Sequence, residues 1–157
     1  PMDRLAQGGD DTRYELPRAH VADAPLDLSF SGLKTAVLNL AHNAQQKGEP
    51  LDEPALARDF TQAVSDELTD RAALALEQTG RKVLVAAGGV AANSIIRADL
   101  QRLCEKRGVK LYLPPLKWCG DNGAMIGAQG YYEYMAGVRG DMTLNGYATM
   151  ELDKVVF

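Results

Sequence analysis

Three short stretches hold residue types that could do chemistry. In LPPLKWCGDNGAMIGAQG, Leu113–Gly130, Asp121 follows an apolar run, a proline pair and Gly120, and begins a helical pattern rich in small residues. A carboxylate in that place can cap the helix, or it can ligate a metal ion if other ligands come from elsewhere. Gly120 and Gly123 bare the backbone on either side of it. Gly127 and Gly130 weaken the helix by roughly 1 kcal/mol each against alanine, so close packing or a ligand must offset them. In VLVAAGGVAANSIIRADL, Val83–Leu100, an apolar run breaks at Gly88–Gly89, and a helical pattern follows Asn93. Two glycines after a strand let a ligand approach backbone, the helix start offers N–H groups to an anion, and the Asn93 carboxamide can read a ribose hydroxyl or a base edge. A tight turn with Asn93 as helix cap accounts for the same residues. The spacing lacks the third glycine of a dinucleotide fingerprint. In SFSGLKTAV, Ser29–Val37, Ser-Gly leads into a helix carrying Lys34 and Thr35, which suits either an anion-binding turn or an ordinary capped helix with a solvated lysine.

Other candidates carry less. His20 and His42 stand near no acidic or sulfur ligand at metal spacing and read as surface residues. Cys104 falls on the apolar face of a helix. Cys119 adjoins the Asp121 loop with no evident base to activate it. Tyr131, Tyr132 and Tyr134 cannot share one helix face, which suggests one buried ring and an exposed remainder.

These residues need elements to position them. The 157 residues suffice for one domain with a real core, at 46% hydrophobic and 24% charged. A net charge of −4 argues against gripping nucleic acid by bulk electrostatics but leaves room for a local basic patch. Two cysteines imply no disulfide framework and a reducing compartment, and no apolar run approaches the roughly 18 residues that span a bilayer. Met2, Leu5 and Ala6 read as the end of a helix stopped by Gly8 and Gly9. The segment 10–25 reads as irregular, and alternating Leu26, Leu28 and Phe30 predict a short strand. Ser31 would cap a helix to about Lys47. A long helix follows, with Pro54 in its first turn and Gly80 past its end. Lys82–Ala87 reads as a strand covered on both faces, 94–107 as a helix, Val109–Leu113 as a strand, and 121–136 as a last helix before a glycine-dotted tail. Late alternation of strand and helix predicts an α/β fold with a parallel sheet.

Taken together, FSGLKTAV, GGVAAN and WCGDNGAMIG, in this order and spacing, resemble the TsaD family, the tRNA adenosine threonylcarbamoyltransferases once described as O-sialoglycoprotein endopeptidases. The resemblance runs over essentially the whole chain and matches the C-terminal half of such a protein. It implies the C-terminal lobe of an actin/Hsp70/sugar-kinase-like (ASKHA) fold, here a single partial domain over residues 1–157, without the N-terminal lobe. It implies transfer of threonylcarbamoyl from threonylcarbamoyl-AMP to N6 of the tRNA adenosine 3′ of the anticodon. On the family pattern Asp121 is a ligand of one divalent metal, iron by expectation. Asn93, with Gly88 and Gly89, would contact the adenosine part of an ATP-type adenylate, and Asp3, just before RLA, would join the same pocket. Gly120 stands where many members carry a larger residue.

The family's HxxxH pair, which supplies histidine ligands to the metal, is not in these 157 residues. The full-length parent would therefore be the enzyme, and this chain alone inactive. The resemblance further implies tRNA as substrate, TsaB-like and TsaE-like partner proteins, no membrane, and a cytoplasmic location; a severed lobe could also self-associate. Two alternatives remain beside the transferase: an isolated nucleotide-binding or interaction module of the same fold, and a sugar-kinase-like phosphotransferase, which would leave Asp121 unexplained. A protease has no support, since neither HExxH nor a nucleophile–base pair is present.

Overall fold

The computed structural model describes residues 2–10, 13–18, 24–146 and 148–149, and the chain falls into two compact units, Pro1–Cys119 and Gly120–Phe157. His20 and the end of the glycine-dotted tail lie outside the described residues. The first unit contains α1 (Met2–Ala6), α2 (Ser31–Lys47), α3 (Glu53–Thr79), β1 (Val83–Val85), α4 (Ser94–Arg107) and β2 (Lys110–Tyr112), with 3-10 turns at Gly89–Ala92 and Leu116–Trp118. The second contains α5 (Gly123–Met135). No helix among the described residues is long and apolar enough to cross a membrane.

The central element is α3. Asp52 caps it by accepting from the Ala55 N–H at 3.1 Å, and Pro54 sits in the first turn, where its missing N–H costs nothing. α1, α2 and α4 pack on it, and it buries Ala55, Leu56, Ala57 and Leu76. α2, α3 and α4 end at Gly48, Gly80 and Gly108, whose φ values of 62 to 66° require the left-handed backbone that glycine adopts without strain. β1 and β2 pair in parallel, Leu84 opposite Leu111, and α4 is the crossover that parallel pairing demands. The unit is thus a helix-rich α/β layer.

Several expectations change. Leu26–Phe30 forms no strand; alternation alone is insufficient without a neighbouring strand to pair with, and among the described residues only β1 and β2 pair. Instead the Arg71 Nε–H donates to the Asp27 carbonyl at 3.1 Å, tying this segment to α3. The strand predicted for Lys82–Ala87 shrinks to three residues, and Val83 and Val85 are 50% and 67% exposed rather than covered on both faces. Ser31 is the first helical residue of α2 and caps nothing: the cap position is Phe30, and no side chain bonds there. The irregular residues 13–18 are held along α3 by polar contacts: the Arg13 and Tyr14 N–H groups donate to Asp59 Oδ2 at 3.1 and 2.7 Å, and Arg18 pairs with Asp66 at 2.7 Å. None of the three tyrosines of α5 is buried; Tyr131, Tyr132 and Tyr134 are all more than half exposed.

Gly9 is more than a helix stop. A Cβ there would lie 2.2 Å from the Pro54 carbonyl oxygen and 2.4 Å from its carbon, backbone atoms at the start of α3 that cannot swing aside. Gly9→Ala should therefore destabilise the first unit by about 2 kcal/mol, the usual scale of overpacking. Chemical denaturation measures it, with Gly8→Ala, whose Cβ would meet nothing nearer than 3.6 Å, as the mild control.

Candidate functional site

The α4 N-terminus gathers residues from far apart in the chain. Asn93 is its cap: Oδ1 accepts from the Ile95 and Ile96 N–H groups at 3.0 and 3.1 Å. Asp3, 91 residues from Ser94, takes the next donor, since its Oδ1 accepts from the Ser94 N–H at 3.0 Å and from the Ser94 hydroxyl at 2.7 Å. The Gln7 amide donates to the same hydroxyl at 3.3 Å. The first three N–H groups of α4 are thus satisfied from within. This corrects the expectation that the helix start offers them to an anion, and it establishes the capping role of Asn93. The Asn93 carboxamide N–H₂ donates to no partner among the described residues.

Asp3, Gly89 and Asn93 line one cavity of about 780 Å³ with Phe30, Phe60, Val64, Val90 and Ile96. Its walls are mostly apolar, with a carboxylate and a carboxamide at the α4 end. Gly88, immediately before, has φ 91° and ψ 174°, a conformation closed to side-chain-bearing residues, so this position turns the chain at the end of β1. Gly89 differs: its backbone is ordinary, and a Cβ on it would meet nothing within 4 Å. Packing within the unit does not demand a glycine there.

Arg97 is a further residue that the fold brings to this site. One guanidinium nitrogen donates to the Ala91 carbonyl at 2.8 Å and contacts Cys119 Sγ at 3.9 Å, while the other donates to the Pro114 carbonyl at 3.2 Å. It therefore fastens the glycine turn to the loop after β2. In the sequence it is only a cation one position after the apolar Ile96; the carbonyls it binds are ones that periodicity does not register. A second polar knot joins α3 to α4, where Asp99, 9% exposed, accepts from Ser65 Oγ at 2.5 Å and the Gln62 amide at 3.0 Å and pairs with Arg102.

The cysteines behave as expected. Cys104 is buried, and burial pushes its thiol pKa up. Cys119, 3% exposed, lies against the Pro114 and Pro115 carbonyls rather than a base. His42 is an exposed residue contacting Gln46 one turn on. Lys34 lines a different, apolar groove with Leu38 and Leu56, and the Thr35 hydroxyl donates to the Ser31 carbonyl at 3.0 Å, so neither faces the cavity that Phe30 lines.

In the second unit, Asp121 is exposed and does not cap α5. Asn122 does, accepting from the Met125 N–H at 3.1 Å and donating through Nδ2 to the Gly120 carbonyl at 2.9 Å. The capping explanation for Asp121 is thereby removed, and its carboxylate is left uncommitted to α5. Gly123, Gly127 and Gly130 would each carry a Cβ into open space, so packing within this unit does not account for them. No group of three His, Cys, Asp or Glu side chains among the described residues could hold a metal ion. Asp121 is an exposed carboxylate that belongs to no such group among the described residues.

An Asn93 variant can separate cap from ligand contact. Asn93→Asp keeps an oxygen for the Ile95 and Ile96 N–H groups but loses the carboxamide donor. It should change stability by less than about 1 kcal/mol, because Asn and Asp cap comparably and the α4 dipole offsets part of the repulsion from the Asp3 carboxylate on Ser94. If Asn93 contacts an adenylate as the family resemblance implies, affinity for AMP should fall about tenfold, the scale of one lost hydrogen bond. Asn93→Ala should lower both, losing about 1 kcal/mol of stability for the cap. Titration calorimetry with AMP alongside thermal melts reads the two effects.

Residues 1–128 match the family model of TsaD, tRNA N6-adenosine threonylcarbamoyltransferase, a span containing Asp3, Gly88, Gly89, Asn93 and Asp121. The chain is 43% identical over 153 residues to the tRNA N6-adenosine threonylcarbamoyltransferase of Staphylococcus saprophyticus, covering 98% of this chain and 44% of that protein. It is 46% identical over 156 residues to the protein of that name from Ligilactobacillus salivarius, covering 99% and 45%. The chain thus spans somewhat under half the length of the curated relatives it matches.

Proposed function

Because this chain belongs to the TsaD family, we propose that it is the C-terminal lobe of an ASKHA-type tRNA N6-adenosine threonylcarbamoyltransferase, active only as part of the full-length protein. One observation carries the reading. Asp3 and Asn93, far apart in sequence, meet at the start of α4 and line one cavity with the open Gly89 backbone. Apolar walls at Phe30, Val64 and Ile96 suit the flat face of an adenine, and the Asn93 carboxamide and the second Asp3 oxygen suit ribose hydroxyls or the base edge. Gly89 admits the ligand close to the main chain.

The adenylate held there would present its threonylcarbamoyl group to the exocyclic amine of the tRNA adenosine. The amine nitrogen attacks the carbamoyl carbon, the new C–N bond forms as the C–O bond to the phosphate breaks, AMP departs with the electron pair, and the amine loses a proton. Binding the nucleotide half supplies positioning, which is worth most when reacting atoms are held at near-attack distance. A divalent metal with Asp121 among its ligands would supply charge stabilisation. TsaB-like and TsaE-like proteins are the proposed partners.

The test is incorporation of labelled threonylcarbamoyl into tRNA from the synthetic adenylate. The full-length protein, with its partners, should transfer and this chain alone should not. Absence of transfer by the complete assembly would sink the reading.

A further inference from the structure

Away from the cavity, at the opposite end of the two strands, three chain segments bring five cations to one edge. Arg81 and Lys82 directly precede β1, Lys106 and Arg107 end α4, and Lys110 starts β2. Parallel register makes them neighbours: the Lys110 N–H donates to the Lys82 carbonyl at 2.9 Å, and Val83 lies opposite Lys110. All five side chains are exposed. The acids beside them are weak counterweights. Glu77 approaches Arg107 only at 3.8 Å, and Glu105 accepts from the Gln101 amide at 3.0 Å.

Helix-dipole compensation explains part of this cluster, since Lys106 and Arg107 occupy the last turn of α4. Arg81 and Lys82, one and two residues past the Gly80 cap, complement the end of α3 in the same way. The dipole does not explain Lys110, which lies on a strand with its ammonium 4.7 Å from the Tyr112 ring, or why both helix ends and the strand start bring their cations to the same edge. A chain of net charge −4 that concentrates five cations on one edge has sorted its charge.

We propose that this edge is a docking surface for the phosphate backbone of the RNA substrate. The proposal rests on the reading of the chain as part of a tRNA-modifying transferase. Phosphates are bound by exposed lysine and arginine with release of counterions, whatever the overall charge of the protein. Gly88 lies six residue steps after Lys82, at most about 20 Å at the rise of a strand. A polynucleotide runs in both directions from the base that reacts, so its backbone can reach this edge while one adenosine is presented elsewhere.

The experiment changes Lys82→Gln, Lys106→Gln and Lys110→Gln together in the full-length protein and measures tRNA binding across a salt series. Expected are a rise in Kd of about tenfold at physiological salt and a salt slope shallower by about 2, with AMP affinity unchanged. An unchanged slope overturns the proposal, as does an unchanged slope accompanied by weaker assembly with partner proteins, which would assign the edge to an acidic protein surface. A loss of AMP affinity equal to the loss of tRNA affinity overturns it too, by exposing a general structural defect. The binding readout does not depend on transfer, so a failure of the transferase reading shows separately, as an unmodified tRNA in the wild-type assay.

Discussion

Replacing Asp121 by alanine in the full-length protein is expected to lower divalent-metal affinity by about 100-fold or more with stability changed by less than about 0.5 kcal/mol. The first magnitude follows from metal-site chemistry: removing even an outer-shell partner costs about 10–100-fold, so losing a ligand costs at least the upper end. The second follows from the local structure. Asp121 is exposed, the α5 cap is made by Asn122, and substitutions at uncommitted surface positions usually stay within about 0.5 kcal/mol. The neighbouring variant supplies the contrast. Asn122→Ala removes the acceptor for the Met125 N–H and should cost about 1 kcal/mol of stability without comparable loss of metal. Metal content by elemental analysis after dialysis, read beside denaturation curves, separates the two residues. Equal metal in the Asp121→Ala and wild-type proteins would remove Asp121 from the metal site, and with it the explanation for a bare carboxylate between two glycines.

That contrast also shows where sequence reasoning reaches its limit. The pattern Cys-Gly-Asp-Asn-Gly contains two residues able to cap a helix, and propensity ranks them as equals. Only the backbone decides, and here α5 begins two residues after Asp121. α2, α3 and α4 were legible almost to the residue because glycines mark their ends and Pro54 marks a beginning. Those signals are local and chemically unambiguous. The strand expected at Leu26–Phe30 was not real, because a strand is a property of two segments and the sequence of one cannot supply its partner. The same reasoning covers the site. Gly88, Gly89 and Asn93 stood out as a turn before a helix. The role of Asp3 beside them came only from family resemblance, and nothing in the sequence shows that a residue at position 3 meets the amide of Ser94. Gly9 against Pro54, Ser65 against Asp99, and Arg97 against two carbonyls escaped for the same reason: each contact joins positions whose closeness is created by packing.

Arg97 carries the largest expected cost to the first unit. Arg97→Met should destabilise it by about 3 kcal/mol, and in the full-length protein should weaken AMP binding about tenfold. The stability figure follows from two charge-assisted hydrogen bonds of about 1.5–3 kcal/mol each, discounted because the side chain is only half-buried. The loss falls on a buried acceptor at one end, since Ala91 is 5% exposed. The affinity figure follows from position. Ala91 lies inside the 3-10 turn that carries Gly89, and the Gly88–Asn93 backbone must hold its shape for Gly89 to leave the cavity open while Asn93 caps α4. Methionine keeps most of the volume and the stem, so the change isolates the guanidinium from the packing of its methylenes. Arg97→Lys is the graded case. A single ammonium can reach one carbonyl but lacks the planar fork that spans Ala91 and Pro114, so it should recover part of the stability and less of the affinity. Hydrogen exchange provides a readout that simple loss of stability would not imitate. Protection should fall first and furthest at the Asn93 and Cys119 amides, whose 3-10 bonds lie within the two fastened segments, while amides inside α4 change only with global unfolding. Uniform loss of protection across the unit, with AMP affinity intact, would reduce Arg97 to a general stabiliser and leave the turn to hold itself.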